Sequence, residues 1–240
     1  MDPGLRRGTL GGSIMKHYKL MRWHVWLGWL IGVPIIIWTA SGLLMVIQPI
    51  ETVRGNHLRS EVPALDAMQP VAPLLEGRQA KSLTLQQNSA GPYWVIAYAD
   101  GGKRRADALT GALLPPVSGA EANILASAAR SDAAAIRSVT LFAADQAPME
   151  QRSGRPSWQV TFDDDARFYI DADSGELIAV RTRFWRAFDF MWGLHIMDLQ
   201  TREDTSHPIL IGSAAIALLG SILGFVMLFT RRRRKRRKPS

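Results

Sequence analysis

Two of the chain's five histidines, His195 and His207, stand in one stretch, DFMWGLHIMDLQTREDTSHP (residues 189–208), directly before a long apolar run. A third, His24, opens another such run. Imidazoles beside apolar segments of membrane length are the groups that hold haem b through its axial positions. His195, His207 and His24 are therefore the candidate haem ligands. A spanning helix of about 23 residues, at 1.5 Å each, separates the level of His24 from that of the other two by roughly 35 Å. Within one chain His24 cannot share a haem with either of them. His195 and His207 could meet at one face, with His57 nearby, or pair across a homodimer. The competing reading gives each a plain structural place. His195 then belongs to an interfacial helix over residues 184–199, resting on Phe184, Trp185, Phe188, Met191 and Trp192. His207 merely precedes Pro208, the first residue of a helix, and His24 joins Lys19, Trp23 and Trp26 as an interface anchor.

The carboxylates offer less. Glu203, Asp204 and His207 have a spacing that metal ligands can take, yet acidic residues ahead of a helix also offset its positive N-terminal dipole. The run Asp163, Asp164 and Asp165 could attract calcium, but the related turn at 99–101 keeps only Asp100. A hairpin turn accounts for both. DADSGE puts Glu176 where a calcium-binding EF-hand loop needs glycine, so no metal site is read here. With no cysteine there is no disulfide, iron–sulfur cluster or thiolate ligand. No Ser/His/Asp set, nucleotide loop or HExxH stands out, which favours binding over catalysis.

The elements that must position these residues begin with two runs free of charge, residues 25–47 and 208–230. Each exceeds the roughly 20 residues that cross a bilayer as a helix. The first is too long for a signal peptide's core of about 7–15 residues and is read as an uncleaved anchor. Of 29 basic residues, eight form the tail RRRRKRRK, so the rest of the chain holds 21 basic and 21 acidic residues. The basic balance thus belongs to a membrane-side stop that attracts anionic lipid, and no nucleic-acid footprint remains. Arg6, Arg7, Lys16, Lys19 and Arg22 lead into the first run with the same sign. The expected topology is a multi-pass inner-membrane protein with both termini cytoplasmic (1–24 and 231–240) and a periplasmic domain between the helices. Gly28 with Gly32, and Gly220 with Gly224, place small residues one turn apart, allowing close helix approach within the chain or to a partner.

The segment between the runs contains a repeat. Residues 93–114 align without a gap on 157–178, matching Trp94 with Trp158, Asp100 with Asp164, Asp107 with Asp171, Ala108 with Ala172, Gly111 with Gly175 and Leu113 with Leu177. Alternation of Trp158, Val160 and Phe162 with polar neighbours, an Asp-rich turn, then Phe168 and Ile170, predicts a β-hairpin in each copy. Ser118 is placed to cap a helix to about Ala129 with Ile124, Leu125 and Ala128 on one face, followed by the strand IRSVTLF. The first copy predicts a weaker helix carrying Val71, Leu74 and Leu75, and a strand at SLTL.

Helix, strand and a hairpin reading FYIDADSGELI resemble a PepSY domain, with copies at 64–116 and 117–180. RWHVWLGWLIGVPIIIWTASGLLMV, with Arg22, His24, Gly28 and Ser41-Gly42, and the pair Leu194-His195, resemble the helices of PepSY-associated transmembrane proteins. The resemblance implies an α+β fold, a helix packed on antiparallel sheet and duplicated, flanked by two transmembrane helices. It also implies an accessory or binding role with a protein partner, in iron or siderophore uptake or envelope-protease regulation. Larger relatives include iron-regulated membrane proteins and ferric-siderophore reductases that carry haem on transmembrane histidines. They hold four or more spanning helices where this chain offers two.

Overall fold

The computed structural model describes residues 7–65 and 68–235. The cytoplasmic assignments of segments 1–24 and 231–240 fall partly outside them. Two compact units emerge, Met1–Ile47 with Asp189–Ser240, and Gln48–Phe188.

The helical unit is built on α1 (Arg7–Ile47) and α5 (Pro208–Lys235). Within them Met21–Ile47 and Pro208–Phe229 are long and apolar enough to cross a membrane. The two run antiparallel: a Cβ added at Gly220 would lie 4.0 Å from Leu27, and one at Gly224 would lie 2.9 Å from the His24 ring. Small residues on α5 thus let the backbones approach. Gly28 and Gly32 take no part, since a Cβ at either meets nothing within 4 Å.

In the chain ahead of α5 comes the end of α4 (Arg183–Ile196), which stops short of the expected 199. The reason is a Schellman turn: Met197 takes φ +58°, Met197 N donates to Leu194 O and Asp198 N to Gly193 O. The chain then folds back so tightly that a Cβ at Gly193 would sit 3.0 Å from Asp198 O. Arg202 returns to Asp189 at 2.7 Å, and Trp192 Nε1 donates to Arg202 O.

The second unit holds the two copies, each with a hairpin at its centre. After a short helix α2 (Ile50–Val53), repeat one forms a sheet β1–β2–β3 (Ala80–Asn88, Gly91–Tyr98, Lys103–Asp107). Repeat two adds α3 (Gly119–Ala129) and a sheet β4–β5–β6–β7 (Ile136–Phe142, Ser157–Phe162, Arg167–Asp171, Leu177–Arg181), all antiparallel. Ser118 caps α3 by accepting Glu121 N. The buried face of α3 is Ala122, Leu125 and Ala126, while Ile124 is 61 % exposed. The face expected from the sequence is thus rotated, because the two alanines allow α3 to lie close on Val160, Phe162, Phe168 and Ile170.

The other face of this sheet is covered too. Gln151, buried on a 3-10 turn (Met149–Gln151), folds the following loop by accepting Ser153 N and Gly154 N. Glu150 accepts the hydroxyl of fully buried Tyr169, whose pKa is raised by burial and by Glu150. Alternation in β6 foresaw Phe168 and Ile170 but not this second covering.

Among its described residues, repeat one has no helix. The segment carrying Val71, Leu74 and Leu75 is irregular, contrary to the expected weak helix. Pro70 and Pro73 interrupt it, and only nine positions separate Val71 from Ala80 where nineteen separate Val117 from Ile136. The missing length is that of α3. The fourth strand shrinks as well, to a single bridge Ala106–Leu113, because Pro115 and Pro116 lack the N–H groups a ladder needs. Ion pairs join the copies: Arg105 grips Glu121 through both guanidinium nitrogens (2.5 and 2.7 Å), and Lys103 meets Glu176 at 2.7 Å.

Candidate functional site

His195 lies against α1, where Trp38, Ser41 and Gly42 share one face at helical spacing. Its ring stacks on Trp38 with centroids 5.0 Å apart and planes 15° from parallel. A side chain at residue 42 would press on the ring, since its Cβ would be 3.0 Å from His195 Cε1. Glycine there makes the notch that receives the imidazole.

The hydrogen bonds fix the ring's chemistry. His195 Nδ1 is 3.1 Å from Trp38 O and 3.1 Å from Ser41 Oγ. The carbonyl can only accept, so in the neutral ring the proton sits on Nδ1. Ser41 keeps its own proton for the Ile37 carbonyl, at 2.7 Å. Nε2 is left with a lone pair. This is the arrangement by which a backbone carbonyl orients a metal-binding histidine.

His24 stands apart from this notch, and no hydrogen bond or ring contact joins His207 to it among the described residues. His24 fits against Gly224, its Nδ1 buried without a hydrogen-bond partner among the described residues. From His24 to Ser41 the helix rises about 25 Å. His207 immediately precedes α5, its carbonyl accepting Ile211 N at 3.2 Å, and its Nδ1 is likewise buried without a partner. The sequence had named Ser41 and Gly42 without joining them to His195. Their spacing with Trp38 was the available signal, but it did not say which distant residue filled the notch.

The acidic stretch after α4 is organised by Asp198, which accepts the backbone N–H groups of Gln200, Thr201, Glu203 and Asp204, and the Thr201 hydroxyl. The Thr201 bond, followed by those backbone groups, holds its carboxyl well below the usual range. Asp204 accepts Ser206 N. These carboxylates thus hold the loop ahead of α5. In the Asp163–Asp165 turn, Asp164 pairs with Arg130 at 2.7 Å and Asp165 with Arg137 at 2.5 Å, and both carboxyls are held low by those hydrogen bonds. The apolar row expected on the interfacial helix is divided: Phe184 is exposed, whereas Trp185 is buried beneath the Arg181 guanidinium, 4.1 Å from its ring centroid.

The duplication extends to individual hydrogen bonds. Asp107 Oδ1 accepts Leu109 N and Thr110 N as Asp171 Oδ1 accepts Asp173 N and Ser174 N. Trp94 Nε1 donates to Val71 O and Trp158 Nε1 to Val117 O. Val71 N reaches Ala108 O as Val117 N reaches Ala172 O.

No curated protein and no solved structure matches the chain. The family model for the PepSY-associated TM region matches residues 21–240, and with nearly its whole length covered the chain belongs to that family.

Proposed function

We propose that this is a membrane-anchored accessory protein whose central unit, residues 48–188, is a binding module exported to the periplasmic face of an inner membrane. One observation carries the reading: two copies that share their turn and tryptophan hydrogen bonds form a single unit, set in the chain between two helices of membrane length. Basic residues lie at the far ends of both helices, which favours cytoplasmic termini. The setting, iron or siderophore uptake or envelope-protease regulation, comes from the resemblance. A phosphatase fused after Gly119 should be active and one fused after Ser240 inactive. The reverse pattern would end this reading.

The tautomer of His195 favours a second reading, a haem b-binding electron-transfer subunit. The donor set fits one axial position: Nδ1 is anchored on Trp38 O, and Nε2 carries the free lone pair. Haem bound there would supply one-electron chemistry. Trp38 holds the ring plane and Gly42 gives it room. A second axial imidazole cannot be His24 of the same chain, about 25 Å along α1, whereas a homodimer could bring a second His195. The spectrum of the protein purified in mild detergent from haem-replete cells, before and after dithionite, decides the matter. A reduced cytochrome band lost in His195→Ala would establish it, and colourless protein with its helices intact would refute it.

A further inference from the structure

Within residues 48–188 a cleft of about 420 Å³ opens between the two repeats. Its floor is apolar, made by Leu125 and Ala128 of α3 with Ile170 and Leu177 of the second sheet. One wall is the end of β1, where Gln87 and Asn88 line the cleft beside Gln86, whose amide is held by Glu176 and Tyr93. The other is the chain from Arg59 to Pro63. That chain is pinned beside α3 by a backbone bridge between Arg59 and Arg130 and by Ser60 N donating to Ala129 O.

Arg59 is the unusual member. Its Nε is sealed from solvent with no hydrogen-bond partner, and among the described residues Arg59 forms no ion pair. A half-buried guanidinium left this way is costly, and burial alone lowers its pKa. The buried carboxylate lining the same cleft does not relieve it. Glu176 is already held by Lys103 at 2.7 Å, Ser174 at 2.9 Å and Gln86 at 2.9 Å. The cleft's second carboxylate, Glu61, is exposed and forms no ion pair with Arg59 among the described residues, so the cleft presents a half-buried cation without a carboxylate partner beside an apolar floor.

We infer that this cleft receives an extended peptide through a carboxylate that pairs with Arg59. The peptide's apolar side chains would lie over Leu125, Ala128 and Leu177. Its backbone would find the amides of Gln87 and Asn88 and the free edge of β1, which among the described residues pairs with β2 alone. Edge-strand addition gives affinity through main-chain hydrogen bonds, and a guanidinium–carboxylate pair sets the register. The volume lies in the ordinary range of ligand sites. This rests on the reading of the central unit as a binding module and names the chemistry of its partner.

The test uses the full chain in detergent micelles, with an acetylated tetrapeptide of alternating alanine and leucine as probe. The free acid, its carboxamide and acetate alone are compared through the arginine Nε–H resonances. Charge-assisted pairing predicts that the free acid binds about tenfold tighter than the carboxamide. Acetate alone should be weaker still. Arg59→Gln should abolish the difference and Arg59→Lys keep part of it. Ala128→Trp, on an exposed position of α3 that lines the cleft, should block the peptide without touching the core. Equal binding of acid and carboxamide, or unchanged binding by Arg59→Gln, would overturn the inference. That failure leaves the binding-module reading intact, which falls only if the phosphatase fusion after Gly119 is inactive.

Discussion

The two repeats share their turns, their tryptophan anchors and their strand register, yet they differ in what covers the sheet. Repeat two has α3 on one face and the Glu150–Gln151 loop on the other, and it buries Val160, Phe162, Phe168, Ile170 and Val180 in one cluster. Repeat one has lost a helix's length of chain and buries only Ile96, Tyr98 and Ala106 together. Turn chemistry is local and survives that loss, because Asp107 and Gly111 need only their immediate neighbours. A core is not local. The comparison teaches that repeat one is a sheet kept in place by its better-packed sibling, through Arg105–Glu121 and Lys103–Glu176.

The largest expected effect breaks the better core. Phe168→Ala removes a fully buried ring and should cost about 3–5 kcal/mol, against about 2 kcal/mol for Ile96→Ala in repeat one. Urea unfolding of the full chain, followed by tryptophan fluorescence, would measure both. Equal costs would mean that repeat one carries a core of its own.

The paired aspartates come next. Asp171 is 1 % exposed, holds two backbone N–H groups and meets Arg155 at 2.6 Å, so Asp171→Ala should cost about 3 kcal/mol. Asp107→Ala, lacking a buried arginine partner, should cost about 1 kcal/mol. The same unfolding curves decide whether this asymmetry holds.

Glycine substitution should reverse the ranking. Gly111 and Gly175 have φ of +72° and +74°, so alanine at either costs about 1–2 kcal/mol in backbone strain. At Gly111 the new methyl would also lie 2.4 Å from Ala72 O, whereas at Gly175 the nearest atom is the Arg105 side chain at 3.4 Å. Thermal melting should therefore fall further for Gly111→Ala.

Acid provides the mildest probe. Asp100, Asp107, Asp164 and Asp165 all lie below the ordinary value of 3.8, held by backbone or arginine hydrogen bonds. A depressed carboxyl stabilises the fold above its unfolded pKa, and that stability is lost as pH falls through the folded one. Asp173, raised by burial, has the opposite sign and offsets part of this. Melting temperature should hold from neutral pH to about 5 and drop below about 4. Asp164→Asn should flatten that drop more than Asp100→Asn, whose pair with Arg78 is more exposed.

Much of this architecture was legible because it is local. The charge-free runs, the Ser118 cap, the strand IRSVTLF and the duplicated hairpins all follow from residues within one helix turn or one strand of each other. The weak helix at Val71 to Leu75 was misread because a short apolar cluster fits a helix until its prolines and the available chain length are counted. The buried face of α3 was misjudged for another reason: hydrophobicity chose Ile124, whereas close packing chose Ala122 and Ala126.

By itself the sequence determined two membrane-length helices and a duplicated α+β domain between them, since hydropathy, periodicity and turn residues act over short distances. It also named His195, Ser41 and Gly42, but as unrelated positions. Only the tertiary structure brought α4 onto α1, put the His195 proton on Nδ1 by facing it with the Trp38 carbonyl, and left Arg59 without a partner among the described residues in a cleft. Those outcomes depend on residues up to 157 positions apart, and pairing at that range is decided by packing rather than by any local pattern.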